Sequence, residues 1–109
     1  MAYSEALAER IRLVFRHRGD IVEKKMFGGL AFLMNGNLLV GVWTQSLIAR
    51  LGAAQARDAL TQEFVGPFEP AGTPMTGWVV IAPEGVDLDE QLKSWIALAE
   101  KFVETLPAK

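Results

Sequence analysis

Two adjacent lysines run into a pair of glycines in the segment KKMFGG, residues 24–29. Basic side chains beside glycine-rich backbone are the parts of many phosphate-binding loops, since glycine lets the backbone approach an anion. The spacing here is neither GxxxxGK[ST] nor GxGxxG, and no helical pattern follows the glycines. On a regular strand Lys24 and Lys25 would point to opposite faces and could not line one groove. We therefore interpret Gly28 and Gly29 as a turn or bulge between two strands.

The residue types that carry most enzyme chemistry are sparse in this chain. There is no cysteine, which excludes thiolate nucleophiles, thiolate metal sites and disulfides, and no GxSxG segment. The only histidine, His17, falls in the last turn of a predicted helix, where positive charge meets the negative end of the helix dipole. The close carboxylates Asp87, Asp89 and Glu90 are explained by helix capping. The sequence predicts no catalytic site, no metal site and no cofactor.

The segment GTPMTGWV, residues 72–79, offers a different kind of site. Residues 62–76 contain three prolines and two glycines, so we expect an irregular loop there. A methionine next to a tryptophan can form an adaptable apolar surface for a partner or a small ligand. The predicted interaction residues of the two segments are Lys24, Lys25, Gly28, Gly29, Met75 and Trp78.

The elements that must position these residues can be read from periodicity and turn signals. Residues 4–18 have helical spacing, with Ser4 as N-cap and Gly19 as a left-handed stop. Asn35 and Gly36 are a strong hairpin signal. Four strands are expected at 21–27, 29–34, 38–43 and 47–51, then a helix at 52–61, a strand at 77–83 and a last helix capped by Asp87.

These elements predict one α+β domain spanning residues 1–109. We expect two layers, with about five mainly antiparallel strands and the helices packed on one face, in the order α-β-β-β-β-α-β-α. The length of 109 residues suits a single core, and no apolar run approaches the roughly 20 residues of a membrane span. The sequence also lacks the features of a signal peptide, so we expect a soluble, cytoplasmic protein.

Charge is unevenly distributed along the chain. Residues 1–57 carry four more basic than acidic residues, and residues 58–109 carry six more acidic than basic ones. The net charge of −2 argues against DNA binding by the whole surface, because such binding depends on neutralising phosphates. Aromatic residues that could stack on bases stand among Leu, Val and Met, as core residues do; they are Phe27, Phe32, Trp43, Phe64, Phe68 and Trp78.

Three segments together resemble the amino-terminal domain of the TfoX/Sxy family of competence regulators. They are EKKMFGGLAFLMNGN at 23–37, GTPMTGWVVI at 72–81 and the amphipathic helix after PEG, and the resemblance covers essentially the whole chain. It implies a bacterial protein with a two-layer α+β fold and an antiparallel sheet. Full-length relatives carry a second, helical domain and act with the cyclic-AMP receptor protein at promoters; this chain ends at Lys109. The resemblance implies no catalytic residues.

Three functions are compatible with these observations. The first is a non-enzymatic regulatory or protein-interaction domain, which the resemblance and the lack of catalytic spacing favour. The second is a small-molecule or nucleotide-binding module that uses the 62–76 loop with Lys24 or Lys25. The third is direct nucleic-acid binding, against which the composition argues. A homodimer is compatible with any of the three, because the sequence does not show which sheet edge is free.

Overall fold

A six-stranded antiparallel sheet and three helices make up the fold. The computed structural model describes residues 3–26 and 28–109. The strands are β1 (Ile21–Met26), β2 (Gly29–Met34), β3 (Asn37–Trp43), β4 (Ser46–Arg50), β5 (Val65–Pro67) and β6 (Trp78–Ile81). The helices are α1 (Glu5–Val14), α2 (Ala53–Ala59) and α3 (Asp89–Val103), with a 3₁₀ turn at Pro83–Gly85. Within the sheet the strands are ordered β1-β2-β3-β4-β6-β5. The predicted α+β class is confirmed.

Tight turns fix the register of the first four strands. Asn35 and Gly36 have φ angles of 53° and 82°, so both lie in the left-handed region that a two-residue hairpin turn requires. Met34 is paired with Asn37 across this turn. The next turn is also short, since Trp43 is paired with Ser46. The predicted antiparallel meander of β1 to β4 is therefore confirmed.

All three helices contribute to one core on the first face of the sheet. The alternate β2 residues Leu30, Phe32 and Met34 point into it and are almost fully buried. Opposite them lie Ile11 of α1, Ala56 of α2 and the broad apolar side of α3. That α3 side is formed by Leu92, Ile96, Ala99 and Val103, all buried. Burial of apolar side chains at this helix–sheet interface is the main stabilising term of the fold.

The element boundaries differ from the predicted ones at several positions. Ser4 is the N-cap of α1, since its hydroxyl accepts a hydrogen bond from the Leu7 N–H at 3.2 Å, but the helix ends at Val14 and Gly19 is no left-handed stop. The N-cap of α3 is Leu88 rather than Asp87. Its N–H donates to the Gln91 side-chain oxygen at 2.8 Å, so the amide of Gln91, not the carboxylate of Glu90, caps the first turn.

The sixth strand, β5, lies inside the segment expected to be irregular. It has three residues and pairs only with β6, at the edge of the sheet. Pro67 is tolerated there because an edge strand needs hydrogen-bond donors on one side only. Gly66 and Pro67 are typical of loops, and this is why the sequence predicts no strand at these residues.

Candidate interaction surface

Strand β1 forms a long open edge of the sheet. It pairs with β2, and in the described part of the chain no strand lies along its outer side. The side chains of Val22, Glu23, Lys24 and Lys25 are all exposed. Lys24 is paired with Ala31 and Lys25 with Leu30, so the two lysines lie on opposite faces of the sheet, as alternation predicts. They flank the open edge from both sides rather than lining one groove.

The glycine pair after β1 serves the hairpin. Gly28 has a φ of 75° and is exposed, and a Cβ at this position would meet no atom within 4 Å. Gly29 is buried and paired with Met26. Phe27, which belongs to the same segment, lies outside the described residues. The conformation of Gly28 therefore accounts for glycine at that position by itself, without a bound phosphate.

The second face of the sheet is partly covered by the chain itself. The loop at residues 68–77 folds back across it and places Phe68 on Ile48 and Trp78. The Phe68 ring lies 5.3 Å from the Trp43 ring and 5.9 Å from the Trp78 ring, between centroids, and Phe68 is only 1% exposed. These residues form a small second core, separate from the core under the helices.

Trp78 belongs to this second core and is not an open interaction residue. It is 7% exposed, and the Arg50 guanidinium lies 5.6 Å from its ring centroid. Met75 is 40% exposed, and its backbone closes the loop by donating to the Phe68 carbonyl at 2.9 Å. Of the two predicted interaction residues in this segment, only Met75 offers an accessible side chain.

The outer strip of the second face, along β1, belongs to neither core in the part of the chain that the structure describes, whereas Ala31, farther in on the same face, is fully buried. Val22, Met26 and Leu33 point to this face, and none of them packs into either core. Val22 is 61% exposed, and Met26 and Leu33 are partly exposed. Lys24 lies between Val22 and Met26 on the same strand face. We call these four residues the open half-face; it is continuous with the open edge of β1.

Ion pairs hold the first face of β1 against α1. Arg12 donates to both carboxylate oxygens of Glu23, at 2.8 and 2.9 Å, and also to Glu9. Hydrogen bonds to Glu23 and Glu9 raise the pKa of the Arg12 guanidinium above its ordinary value. This arrangement engages the Glu23 carboxylate, whereas no ion pair joins Lys24 or Lys25 to another described residue. The open edge therefore has a net positive charge.

A second network joins the turn after α1 to α3. Arg18 donates to both oxygens of Asp20 at 3.0 Å and to Glu100 at 2.7 Å. The hydrogen bond from Arg18 lowers the pKa of the Asp20 carboxyl below its ordinary value. These residues are exposed or half-buried, so the network fixes geometry more than it adds stability.

The predicted site residues do not come together in one place. Lys24 and Lys25 lie on β1, whereas Trp78 begins β6, and three strands separate them. Neighbouring strands lie about 4.8 Å apart, so the backbones of β1 and β6 are roughly 19 Å apart. The 62–76 segment contains β5, at the opposite edge of the sheet from β1, and from Phe68 onward it crosses the second face toward Trp43. One small-ligand site that combines this loop with Lys24 or Lys25 stays a prediction.

The 62–64 segment instead borders a cleft on α3. This cleft has a volume of about 490 Å³ and is lined by Gln62, Glu63 and Phe64 on one side and by Gln91, Ser94 and Trp95 on the other. Phe64 is exposed although its φ is 69°, a conformation that non-glycine residues rarely adopt. Sequence reasoning missed this cleft because its two walls are about 30 residues apart in the chain.

The remaining candidate groups stay separate in the structure. His17 is exposed and its ring accepts a hydrogen bond from Arg16 at 3.2 Å. Among the described residues, no group of three or more acidic or histidine side chains could hold a metal ion. Phe32, Phe68 and Trp78 are buried, so they offer no platform for bases. No helix in the described ranges is long and apolar enough to cross a bilayer.

Sequence reasoning also missed the role of Phe68. It was grouped with the other aromatic residues, yet it is the one that closes the second face. The sequence did contain an indication of this role, because Phe68 is an aromatic residue placed between two prolines, in PFEP at 67–70, within a segment expected to be a loop. An apolar side chain of this size in such a loop indicates a contact that holds the loop down.

Comparison with known proteins identifies the family. A family model described as the TfoX N-terminal domain matches residues 14–103 of the 109-residue chain. A search of the curated proteins and a search of the solved structures found no match. The matched span contains all six described strands, the 68–77 loop, α2 and the whole of α3. The chain belongs to the TfoX N-terminal domain family.

Proposed function

We propose that this domain is a non-enzymatic regulatory module that binds another protein in the cytoplasm. The observation that carries the proposal is the open half-face, a partly exposed apolar strip of sheet beside a strand edge with which no other described strand pairs. Exposed apolar surface beside an open edge is costly to leave in water and favours aggregation, so proteins usually cover it. Membership of the TfoX N-terminal domain family supports a competence-regulator-like role. A function related to transcription is part of this proposal.

The other edge of the sheet lacks these properties. β5 has three residues and ends in Pro67, which has no N–H to donate. β1 has six residues, no proline and four consecutive exposed side chains. Extended peptides commonly bind by adding a strand to such an edge, with backbone hydrogen bonds for affinity and side chains for specificity.

Co-purification with a matched pair of variants tests this proposal. Val22 on the open half-face and Leu13 on α1 are both 61% exposed, so replacing either with lysine should leave the fold intact. We expect proteins captured by the wild-type domain from cells of the source organism to be lost with Val22→Lys and retained with Leu13→Lys. Equal capture by the two variants would contradict the proposal.

A small-molecule-binding function is a second candidate, favoured by the cleft between the 62–64 segment and α3. Its volume is within the range of ligand sites, and it combines two aromatic rings with the polar side chains of Gln62, Gln91 and Ser94 and the acidic side chain of Glu63. A thermal-shift screen against nucleotides, anions and aromatic metabolites tests it. A ligand of this cleft should raise the melting temperature of wild type and of Lys24→Ala but not of Phe64→Ala. Failure of every compound to stabilise the protein would remove this candidate.

A further inference from the structure

We propose that the open edge of β1 binds an extended acidic segment of a partner protein as a seventh strand. This inference rests on the proposed function and adds the chemistry of the partner. In an antiparallel strand, alternate residues turn their N–H and C=O groups to the same side, so half of the β1 residues present theirs to the open edge. The backbone of an added strand would satisfy these groups.

The two lysines determine the charge of the partner. Residues directly opposite each other in neighbouring strands share a face of the sheet. An acidic residue opposite Lys25 would therefore lie on the first face, and one opposite Lys24 on the second face. Because Lys24 and Lys25 are consecutive, the partner needs two consecutive acidic residues. Neither lysine has an ion-pair partner within the described chain, so both are available to it.

The open half-face determines the flanking residues of the partner. Val22 and Met26 lie on either side of Lys24 on the second face. Opposite them, an added strand would carry apolar side chains two positions before and two positions after the acidic residue that meets Lys24. Every strand pair in this sheet is antiparallel. An antiparallel partner would thus read apolar-acidic-acidic-polar-apolar.

A second copy of this chain fits the edge less well. Two copies of β1 could pair antiparallel about a two-fold axis perpendicular to the sheet. If the faces of the two sheets are to match, one residue must then lie directly opposite the same residue of the other copy. The two registers that pair most of β1 place Lys24 opposite Lys24 or Glu23 opposite Glu23, and like charges directly opposite are destabilising. The first register also brings Glu23 to Lys25, but Arg12 already binds both oxygens of Glu23. The edge therefore opposes self-pairing and favours an acidic strand.

Fluorescence polarisation with a synthetic peptide tests the inference on the full chain. The probe is labelled Thr-Val-Glu-Glu-Thr-Val-Thr, and its control has glutamine in place of both glutamates. We expect saturable binding of the acidic peptide and at least about tenfold weaker binding of the control. Lys24→Glu combined with Lys25→Glu should weaken the acidic peptide by a similar factor. The matched variant Lys93→Glu with Lys101→Glu has the same net charge but alters exposed lysines of α3, and it should change the affinity less than about twofold.

N-methylation of the probe separates strand addition from a simple charge contact. Two peptides, methylated on the backbone nitrogens of odd or even residues, differ in which edge of the peptide can donate hydrogen bonds. Strand addition predicts that one of them binds like the parent and the other does not bind. The inference would be overturned if both methylated peptides bound equally, or if the acidic peptide bound the two charge-reversed proteins equally. It would also be overturned if no peptide bound saturably, or if sedimentation showed a homodimer that depends on β1. In each case the capture comparison of Val22→Lys with Leu13→Lys still decides the proposed function separately.

Discussion

At the scale of single residues, the clearest constraints come from backbone positions that only glycine satisfies. Gly52 and Gly72 both have a φ of 85°, but their surroundings differ. A Cβ at Gly52 would lie 2.6 Å from the Phe102 ring, whereas at Gly72 it would meet nothing within 4 Å. The same substitution at the two sites therefore separates backbone strain from crowding.

We expect Gly72→Ala to lower the free energy of unfolding by about 1–2 kcal/mol, the cost of a left-handed alanine. Gly52→Ala should lower the free energy of unfolding by about 1–3 kcal/mol more than Gly72→Ala does, because the packed Phe102 ring must move. Urea denaturation of both variants measures the difference. Equal losses would show that Phe102 is not held as tightly as the structure indicates.

The ion pair of Asp20 predicts a pH dependence. Arg18 lowers the pKa of the Asp20 carboxyl in the folded protein, so this group stabilises the fold above its unfolded pKa. The contribution is lost as the pH falls through the lowered folded pKa. Asp20→Asn should therefore have a lower urea midpoint than wild type at neutral pH, and the two midpoints should converge in acid. The control Asp58→Asn removes a carboxylate outside these ion pairs, and its urea midpoint at neutral pH should stay close to that of wild type.

Among the elements, the 68–77 loop covers part of the second face, through the Phe68 side chain. Phe68→Ala should lower the free energy of unfolding by about 3–5 kcal/mol, because it removes a buried ring from between Trp43 and Trp78. The exposed Phe64 provides the control, and Phe64→Ala should cost about 1 kcal/mol or less. Tryptophan fluorescence and denaturation measure both. A small loss for Phe68→Ala would mean that the loop does not seal this face.

The elements that could be predicted from sequence are those with strong local signals. The Asn35-Gly36 turn and the broad apolar side of α3 are local patterns, and both are present in the structure. β5 was not predictable, because its pairing with β6 is long-range and its sequence contains Pro67. The candidate site was only partly predictable for the same reason. Alternation placed Lys24 and Lys25 on opposite faces, but the strand order that leaves β1 at an edge is a property of the whole fold.

In the whole molecule, the basic and acidic residues that are unevenly distributed along the sequence lie on different sides of the domain. The basic excess of residues 1–57 includes the lysines of the open edge, whereas α3 and its flanks carry much of the acidic excess. An acidic partner would therefore be attracted to the β1 side of the domain and repelled from the α3 side. We expect the association rate of such a partner to fall with added salt, which stopped-flow mixing at two ionic strengths measures. A rate that does not change with salt would contradict this steering.

We propose that the domain binds its partner through the open edge and open half-face of β1. Amide chemical-shift mapping of the isotope-labelled domain, with a partner captured from cells of the source organism, tests it most directly. We expect the perturbed amides to lie in Ile21–Met26 and Gly29–Met34, and the β1 amides to become slower to exchange with solvent. Perturbation confined to Asp89–Val103 and the 62–64 segment, with β1 unchanged, would contradict it.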